Sequence, residues 1–349
     1  MTVHTGSEVD QVAAALAGAA GRHFARPTAI ERLKRESGGA SRQTWSFDAV
    51  ADGKRHGLVL RRDPPTTGAV GGPLGGKPGA GSSTALDRAT EFRVLAAAHK
   101  GGVRAPQVLF ELTPQDGLGE GFVMQRVDGT AIARKLLRDP PYAKARTVIA
   151  GQLGEILARI HAVDLADLPP LTHREAADHI AGMRRALDAL SQPQPVFELA
   201  LSWLDRRRPP PIARPLLVHG DYRTGNYLAD EEGVTAILDW EGAHLGDPVE
   251  DLGWLCIKSW RFGAVDKPAG GFGSREELWA AYERAGGAKV DPARAHWWEV
   301  FGTVRWGIIC HQQAWRHLSG AVKSMELASI GRRAVETEVD LLQLLKEKT

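Results

Sequence analysis

Over the first part of the chain apolar and polar residues alternate in short runs, and from Tyr142 onward apolar residues recur at helical spacing instead. The alternating runs predict strands at Ala29–Glu36 and Thr44–Val50, joined by Ser37-Gly38-Gly39-Ala40-Ser41-Arg42-Gln43. Asp52-Gly53 predicts a hairpin turn into a third strand, His56–Arg62. In that strand Val59 and Arg61 share one face, and Arg62 points the other way, toward solvent. A helix is expected at Leu86–His99, with Glu91 in its first half and Phe92, Leu95 and Ala96 on its apolar face. Strands at Pro106–Leu112 and Gly121–Val127 follow. Ala145–His161 carries an apolar stripe at Val148, Ile149, Leu153, Ile156, Leu157 and Ile160. Further helices are expected at Glu175–Leu190, Phe197–Arg208, Glu276–Ala285, Pro292–Leu318 and Val322–Lys346.

Composition narrows the classes of function. The chain has 349 residues, with 44 Lys plus Arg against 42 Asp plus Glu. A net charge of +2 gives no support to nucleic-acid binding as the main activity. Arg206-Arg207-Arg208 before three prolines reads as a solvated helix end. Cys256 and Cys310 have no metal-ligand spacing and read as buried residues of a reducing compartment. No apolar run reaches membrane-spanning length, and Glu8 and Asp10 before Val12–Ala20 have the wrong sign for a signal peptide. A short amphipathic helix and a soluble, cytoplasmic protein are the expectation. Residues 64–84 form a Gly/Pro/Ser-rich insertion expected to be flexible. Within it Gly71–Lys77 resembles a Walker A loop, but Pro78 replaces the required Ser or Thr and no strand or helix flanks it.

The stretch His219–Asp239 concentrates the chemistry. Asp221 and Asn226 lie on one short loop, Tyr227–Ala229 and Val234–Leu238 read as paired strands, and Asp230-Glu231-Glu232-Gly233 turns between them. Such a hairpin returns Asp239 to the side of Asn226. Phosphoryl transfer needs positioned hard oxygen ligands for magnesium and a carboxylate that orients an attacking hydroxyl, and these are the residue types present.

His219, Gly220, Asp221, Asn226, Ile237, Asp239 and Trp240 match the motif His-Gly-Asp-x-x-x-x-Asn followed by Ile-x-Asp-Trp. On these residues the chain resembles the aminoglycoside phosphotransferase and choline kinase-like family. The resemblance implies an α+β, bilobal protein kinase-like fold. A small antiparallel-sheet lobe (1–127) would bind nucleotide, and a large, mostly helical lobe (128–349) would carry catalysis and the acceptor. It implies ATP, or GTP, with Mg2+. Asp221 would be the catalytic base or hydroxyl-orienting group, Asn226 and Asp239 the metal ligands, and His219 a structural member of the loop. Arg223 would face the transferring phosphate or an anionic substrate. Val59 would lie over the adenine, Arg61 would stand where kinases carry a phosphate-gripping Lys, and Glu91 would orient it. Gly38, Gly39 and Ser41 would approach the phosphates, and backbone near Gln125 and Val127 the adenine. Asp247 and Asp251 are assigned to fold architecture, and Glu241 and His244 lie close enough to Asp239 to enter the cleft.

The acceptor is less legible. Trp254, Trp260, Trp279, Trp297, Trp298, Trp306 and Trp315, with His311 and Gln312, lie in the C-terminal helices, where tryptophans more often build core. From Trp254 to Thr349 there are 14 Lys plus Arg and 11 Asp plus Glu, which argues against a polycationic acceptor. Leu60-Arg61-Arg62-x-Pro64-Pro65, Thr90–Leu95 and Asp239-Trp240-Glu241 resemble most the phosphotransferase domain fused to some acyl-CoA dehydrogenases. That implies a small-molecule acceptor such as a hydroxyacyl-CoA or hydroxy acid. An aminoglycoside or amino-alcohol acceptor is the alternative, and a non-catalytic nucleotide-binding pseudokinase the rival class. A protein kinase fits less well, since no Ala-Pro-Glu segment follows Asp239.

Overall fold

The computed structural model describes residues 6–36, 43–63, 85–190 and 192–347. The glycine-rich run with Gly38, Gly39 and Ser41, and the insertion 64–84 with its Walker-like segment, lie outside the described residues.

The N-terminal part is a five-stranded antiparallel sheet in the order β1-β2-β3-β5-β4. Its strands are β1 (Thr28–Arg35), β2 (Gln43–Ala51), β3 (Lys54–Asp63), β4 (Val108–Glu111) and β5 (Glu120–Gln125). Residue alternation gives the sheet two apolar faces. Trp45, Phe47, Leu58, Leu60 and Val123 pack with Val12 and Leu16 of helix α1 (Gly6–Phe24). Phe122 and Met124 turn the other way, into the cluster containing Val94 and Leu95 of α2 (Arg88–Lys100). α2 starts where Asp87 accepts the Thr90 N–H.

The cover of α1 corrects one expectation. Arg62 does face away from Arg61, but that face is not solvent: Arg62 is only 4 % exposed. Its Nε and Nη2 donate to Gln43 Oε1 at 2.9 and 2.7 Å, and its Nη1 to the Leu118 carbonyl at 3.2 Å. The guanidinium also lies 5.8 Å from the Trp45 ring centre. An arginine can be buried there because these partners replace its water.

After β5 the chain crosses into the helical part. The Arg126 N–H donates to the Gly57 carbonyl at 2.9 Å, and Thr130 and Ala229 exchange backbone hydrogen bonds at 2.8 and 3.1 Å. The helices are α3 (Ala133–Arg138), α4 (Ala143–His161), α5 (Ala176–Asp188), α6 (Pro195–Arg206), α7 (Val249–Cys256), α8 (Arg275–Arg284), α9 (Pro292–Leu318), α10 (Met325–Gly331) and α11 (Ala334–Leu344). Two small antiparallel ribbons sit among them: β6 (Leu216–Val218) with β9 (His244–Gly246), and β7 (Tyr227–Ala229) with β8 (Val234–Ile237). The predicted helices are present with small shifts of their ends. The single helix expected at Val322–Lys346 is instead two, α10 and α11, separated at Arg332 and Arg333. Both segments pack on α9, and the break follows Gly331, which lies against Ala314 of α9 so closely that a Cβ would meet the Ala314 Cα at 3.0 Å. Among the described residues no helix is long and apolar enough to cross a membrane.

α4 is the central helix of this part, with Ile149, Leu153, Ile156, Leu157 and Ile160 buried. Gly154 lets α8 approach it closely: a Cβ there would meet the Leu278 carbonyl and come within 2.9 Å of the Tyr282 nitrogen. Gly151, one turn earlier, has no such neighbour within 4 Å. The two glycines therefore have opposite predicted responses to alanine. Gly154→Ala is expected to destabilise by about 1–3 kcal/mol through overpacking. Gly151→Ala is expected to stabilise by about 0.5–1 kcal/mol through helix propensity. Urea denaturation of the two variants checks this, and equal shifts of the same sign would refute it.

Candidate active site

The loop between β6 and β7 is fixed by one carboxylate. Asp251, in the first turn of α7 and fully buried, accepts the N–H of His219 at 2.8 Å and of Gly220 at 2.9 Å. Its Oδ2 also faces His161 Nε2 at 3.3 Å. Gly220 has φ +77°, and a Cβ there would run into the Gly242 carbonyl, so only glycine fits this turn. His219 Nε2 donates to the Leu238 carbonyl at 2.9 Å, while its Nδ1 accepts the Asp221 N–H at 3.2 Å. That pattern defines a neutral imidazole, and burial pushes its pKa below the usual value. His219 thus ties the loop to the end of β8, as a structural member should.

Asp221 is held from three sides. Asn226 Nδ2 donates to its Oδ2 at 2.6 Å, Arg223 Nε to its Oδ1 at 3.1 Å, and Trp254 Nε1 to the same Oδ1 at 2.8 Å. Asn226 Nδ2 also donates to the Asp221 carbonyl at 3.0 Å, so the Asn226 amide hydrogens are both directed at Asp221. Its carbonyl oxygen is left as the group available to a cation. Leu238 N–H donates to the Asn226 main-chain carbonyl at 2.8 Å, which brings Asp239 beside Asn226 as the hairpin predicted. Asp239 itself has φ +62°, in the left-handed region.

Across the cleft, Arg61 of β3 meets three carboxylates. Its Nε lies 3.1 Å from Glu91, its Nη1 pairs with Asp239, and its Nη2 donates to Glu241 at 2.9 Å. Burial alone would raise the Asp239 pKa, but the Arg61 charge holds it below the usual carboxylate range. Arg88 stands behind this cluster, 2 % exposed, paired with Glu91 and 3.3 Å from Asp63. Val59 shares the Arg61 face of β3, and Gln125 and Val127 end the adjacent strand and begin the crossing segment.

The other side of Asp221 is aromatic and cationic. The Arg223 guanidinium lies 4.5 Å from the Trp260 ring centre, and that of Arg305 lies 4.6 Å from Trp254. Arg305 Nη1 donates to the Gly220 carbonyl at 2.8 Å. Trp254, Trp260 and Trp306 pack in sequence, edge-on and then tilted, with ring centres 5.2 and 4.6 Å apart. Trp297 and Trp298 are core.

Sequence reasoning brought Asp221, Asn226, Asp239, Arg61 and Glu91 to one place, and the structure gathers them. Asp247 serves architecture as expected: it accepts from Val249 N–H, Arg294 Nε and Trp298 Nε1. Of the two residues expected to enter the cleft, Glu241 does, but His244 does not. It is buried, facing the Gly242 carbonyl at 3.0 Å and Glu250 at 3.1 Å, because strand pairing with β6 turns it inward. Trp254 and Arg305 were missed as partners of the catalytic loop. An indole is the same residue type in a core or at a carboxylate, so no sequence signal separated Trp254 from its neighbours. Cys256 and Cys310 are buried, and burial pushes both thiols up to about 12, which disfavours the thiolate form.

An antiparallel sheet set over a helical part, with a carboxylate-bearing loop and an arginine facing each other between them, defines a protein kinase-like phosphotransferase. A sequence model of the APH phosphotransferase enzyme family matches residues 32–288, and the chain belongs to that family. That family is one of phosphotransferase enzymes. Mouse acyl-CoA dehydrogenase family member 10 is 30 % identical over 188 residues; the match covers 50 % of this chain and 17 % of that protein, so the chain spans only a small part of this relative's length. A protein from Ralstonia eutropha JMP134, provisionally described as an aminoglycoside phosphotransferase, superposes with a TM-score of 0.71 at 23 % identity, covering 96 % of this chain and 99 % of its own. An aminoglycoside phosphotransferase solved with AMP-PNP and hygromycin B superposes with a TM-score of 0.58 at 16 % identity, covering 96 % and 99 %. These likenesses establish the fold.

Two outcomes test this arrangement. Trp254→Phe removes one charged-acceptor hydrogen bond, a loss of about 1.5–3 kcal/mol. It is expected to lower kcat without changing the nucleotide KM; an unchanged kcat would remove Trp254 from the catalytic loop. Glu250, deeply buried, is pulled well below the usual carboxylate range by His179 and His244 despite the opposing effect of burial. A depressed carboxylate contributes its full stability above its unfolded value, about 4.3, and loses it as pH falls toward the folded value. Glu250→Gln is expected to cost about 3–5 kcal/mol at pH 7 and to flatten the acid limb of a pH-stepped urea titration. Parallel acid limbs in parent and variant would contradict it.

Proposed function

We propose that the chain transfers the γ-phosphate of ATP to the hydroxyl of a small anionic acceptor, a hydroxy acid or hydroxyacyl-CoA. The observation that carries this reading is the surround of Asp221: a metal-ligand pair on one side, two guanidiniums stacked on indoles on the other. In this reading the chain divides near Val127, with nucleotide between residues 1–127 and 128–349. Val59 packs over the adenine, backbone at Gln125 and Val127 meets its edge, and Arg61 faces the phosphates. Gly38, Gly39 and Ser41 are assigned to the phosphates by the sequence pattern alone.

Asn226 and Asp239 supply a neutral and an anionic oxygen, a donor set suited to magnesium. When bound, Mg2+ would neutralise phosphate charge as it spreads in the transition state. The remaining work falls to the chain's own groups. Asp221, its carboxylate aimed by Asn226, Arg223 and Trp254, accepts the proton of the acceptor hydroxyl. The freed oxygen forms the bond to the γ-phosphorus as the bond to the bridging oxygen breaks and ADP leaves. Arg223 and Arg305 place positive charge beside the acceptor. That favours an anionic acceptor and disfavours a polycationic aminoglycoside.

A panel of hydroxy acids, hydroxyacyl-CoA esters, amino-alcohols and aminoglycosides, read by ADP release, tests both levels. Asp221→Asn is expected to lower kcat by about 10²–10⁴-fold. If an aminoglycoside is the best acceptor by a wide margin, the acceptor assignment is wrong. If the parent consumes ATP with no alcohol and Asp221→Asn behaves identically, the pseudokinase reading replaces this one.

A further inference from the structure

We infer that Glu241 is a positioning residue for Arg61, holding its guanidinium in the phosphate-facing orientation when Asp239 turns to another cation. The inference rests on the nucleotide-binding reading above and adds to it a residue and a reason for arginine.

Kinases of this fold place a lysine at this point of β3, and an ammonium is a compact point charge. Arg61 instead presents three separate edges, each with its own carboxylate: Nε to Glu91, Nη1 to Asp239, Nη2 to Glu241. Only Glu91 lies on the same side of the cleft. Asp239 and Glu241 come from the opposite side, flanking Trp240 at the start of a short 3-10 turn, Trp240–Gly242.

Glu241 is itself fixed. Its carbonyl accepts the Leu86 N–H at 2.7 Å, just before α2, and its carboxylate lies 3.9 Å from Arg88 Nη2. It is therefore tied to the start of α2 by main chain and side chain, and is not a loose surface group.

Charge within the cluster points the same way. Two guanidiniums (Arg61, Arg88) face four carboxylates (Asp63, Glu91, Asp239, Glu241), so 2 − 4 leaves −2, which one divalent cation would balance. When the Asp239 carboxylate is taken up by a cation, Arg61 loses its Nη1 partner. Glu241 still holds Nη2 by a hydrogen bond and the Glu91 charge still stands 3.1 Å from Nε, which keeps the guanidinium in place and releases Nη1 toward phosphate oxygen. A lysine has no plane to fix, and its three donors converge on one freely rotating nitrogen.

The test uses the full chain as parent, Glu241→Gln, Glu241→Asp, Arg61→Lys and the Arg61→Lys/Glu241→Gln double variant. Three readouts are taken: urea stability without ligand, ADP affinity in EDTA by calorimetry, and kcat and KM with saturating Mg2+. Glu241→Gln removes a carboxylate that competes with phosphate for Arg61, so metal-free ADP is expected to bind about threefold or more tightly. Its kcat is expected to fall about tenfold with little change in KM, because the guanidinium is no longer aimed. Glu241→Asp is expected to recover part of that kcat. Arg61→Lys is expected to lower activity although lysine is the commoner residue, and its effects on stability and kcat should not add to those of Glu241→Gln. Additive losses, unchanged metal-free ADP affinity, or a shifted Mg2+ requirement in Glu241→Gln would each overturn the inference. A parent that binds no ADP would instead overturn the nucleotide reading on which it rests.

Discussion

A buried carboxylate gripping two consecutive backbone N–H groups is the constraint on which the catalytic arrangement depends. Without Asp251 the N–H groups of His219 and Gly220 would be buried donors with no acceptor, a cost no compact fold tolerates readily. The grip also sets position. Asp251 belongs to α7, and α7 packs against α9 so closely at Gly253 that a Cβ there would lie 2.7 Å from the Trp298 carbonyl carbon. The loop is thereby fastened to the longest helix of the molecule. Once His219 and Gly220 are placed, the His219 imidazole carries the register on to Leu238, and Asp239 follows.

Across the cleft the logic is electrostatic. The sheet contributes Arg61, on the half-buried face of β3, while the opposite face with Leu58, Leu60 and Arg62 is buried under α1. The partners of Arg61 come from α2 and from the turn after β8. The Arg61 cluster is thus held by ion pairs spanning the two parts of the chain. The other side of Asp221 is lined by indoles and guanidiniums belonging to the helical part. In the proposed reading the first pattern would be set by phosphate chemistry, and the second would be free to vary with the molecule that accepts the phosphate.

That asymmetry explains what could be read from the chain. Asp221, Asn226 and Asp239 were legible because a short hairpin fixes their separation in space by their separation in sequence. Glu91 was legible because one amphipathic helix packs against the sheet and presents one carboxylate toward β3. Trp254 and Arg305 come from α7 and α9, and their meeting with the catalytic loop is a product of helix packing that no local pattern encodes. Arg62 was misplaced for a similar reason. Alternation gives the side of a strand, but whether that side is wet depended on α1 folding over it. The break between α10 and α11 falls just after a glycine packed against α9, where periodicity alone ran on without interruption.

Asp239 joins two restrictions that come from unrelated sources. Its left-handed backbone is tolerated by glycine, asparagine and aspartate far more readily than by longer or branched residues. Its charge pairs with Arg61 across the cleft and, in the proposed reading, would also serve a metal ion. The two sets overlap in aspartate alone, while the backbone restriction by itself still admits asparagine. A single-atom exchange, oxygen for nitrogen, would therefore leave the turn intact and remove the charge. If the proposed function holds, the shortest route along this chain from an enzyme to a silent binding protein runs through that position, without passing through a misfolded intermediate.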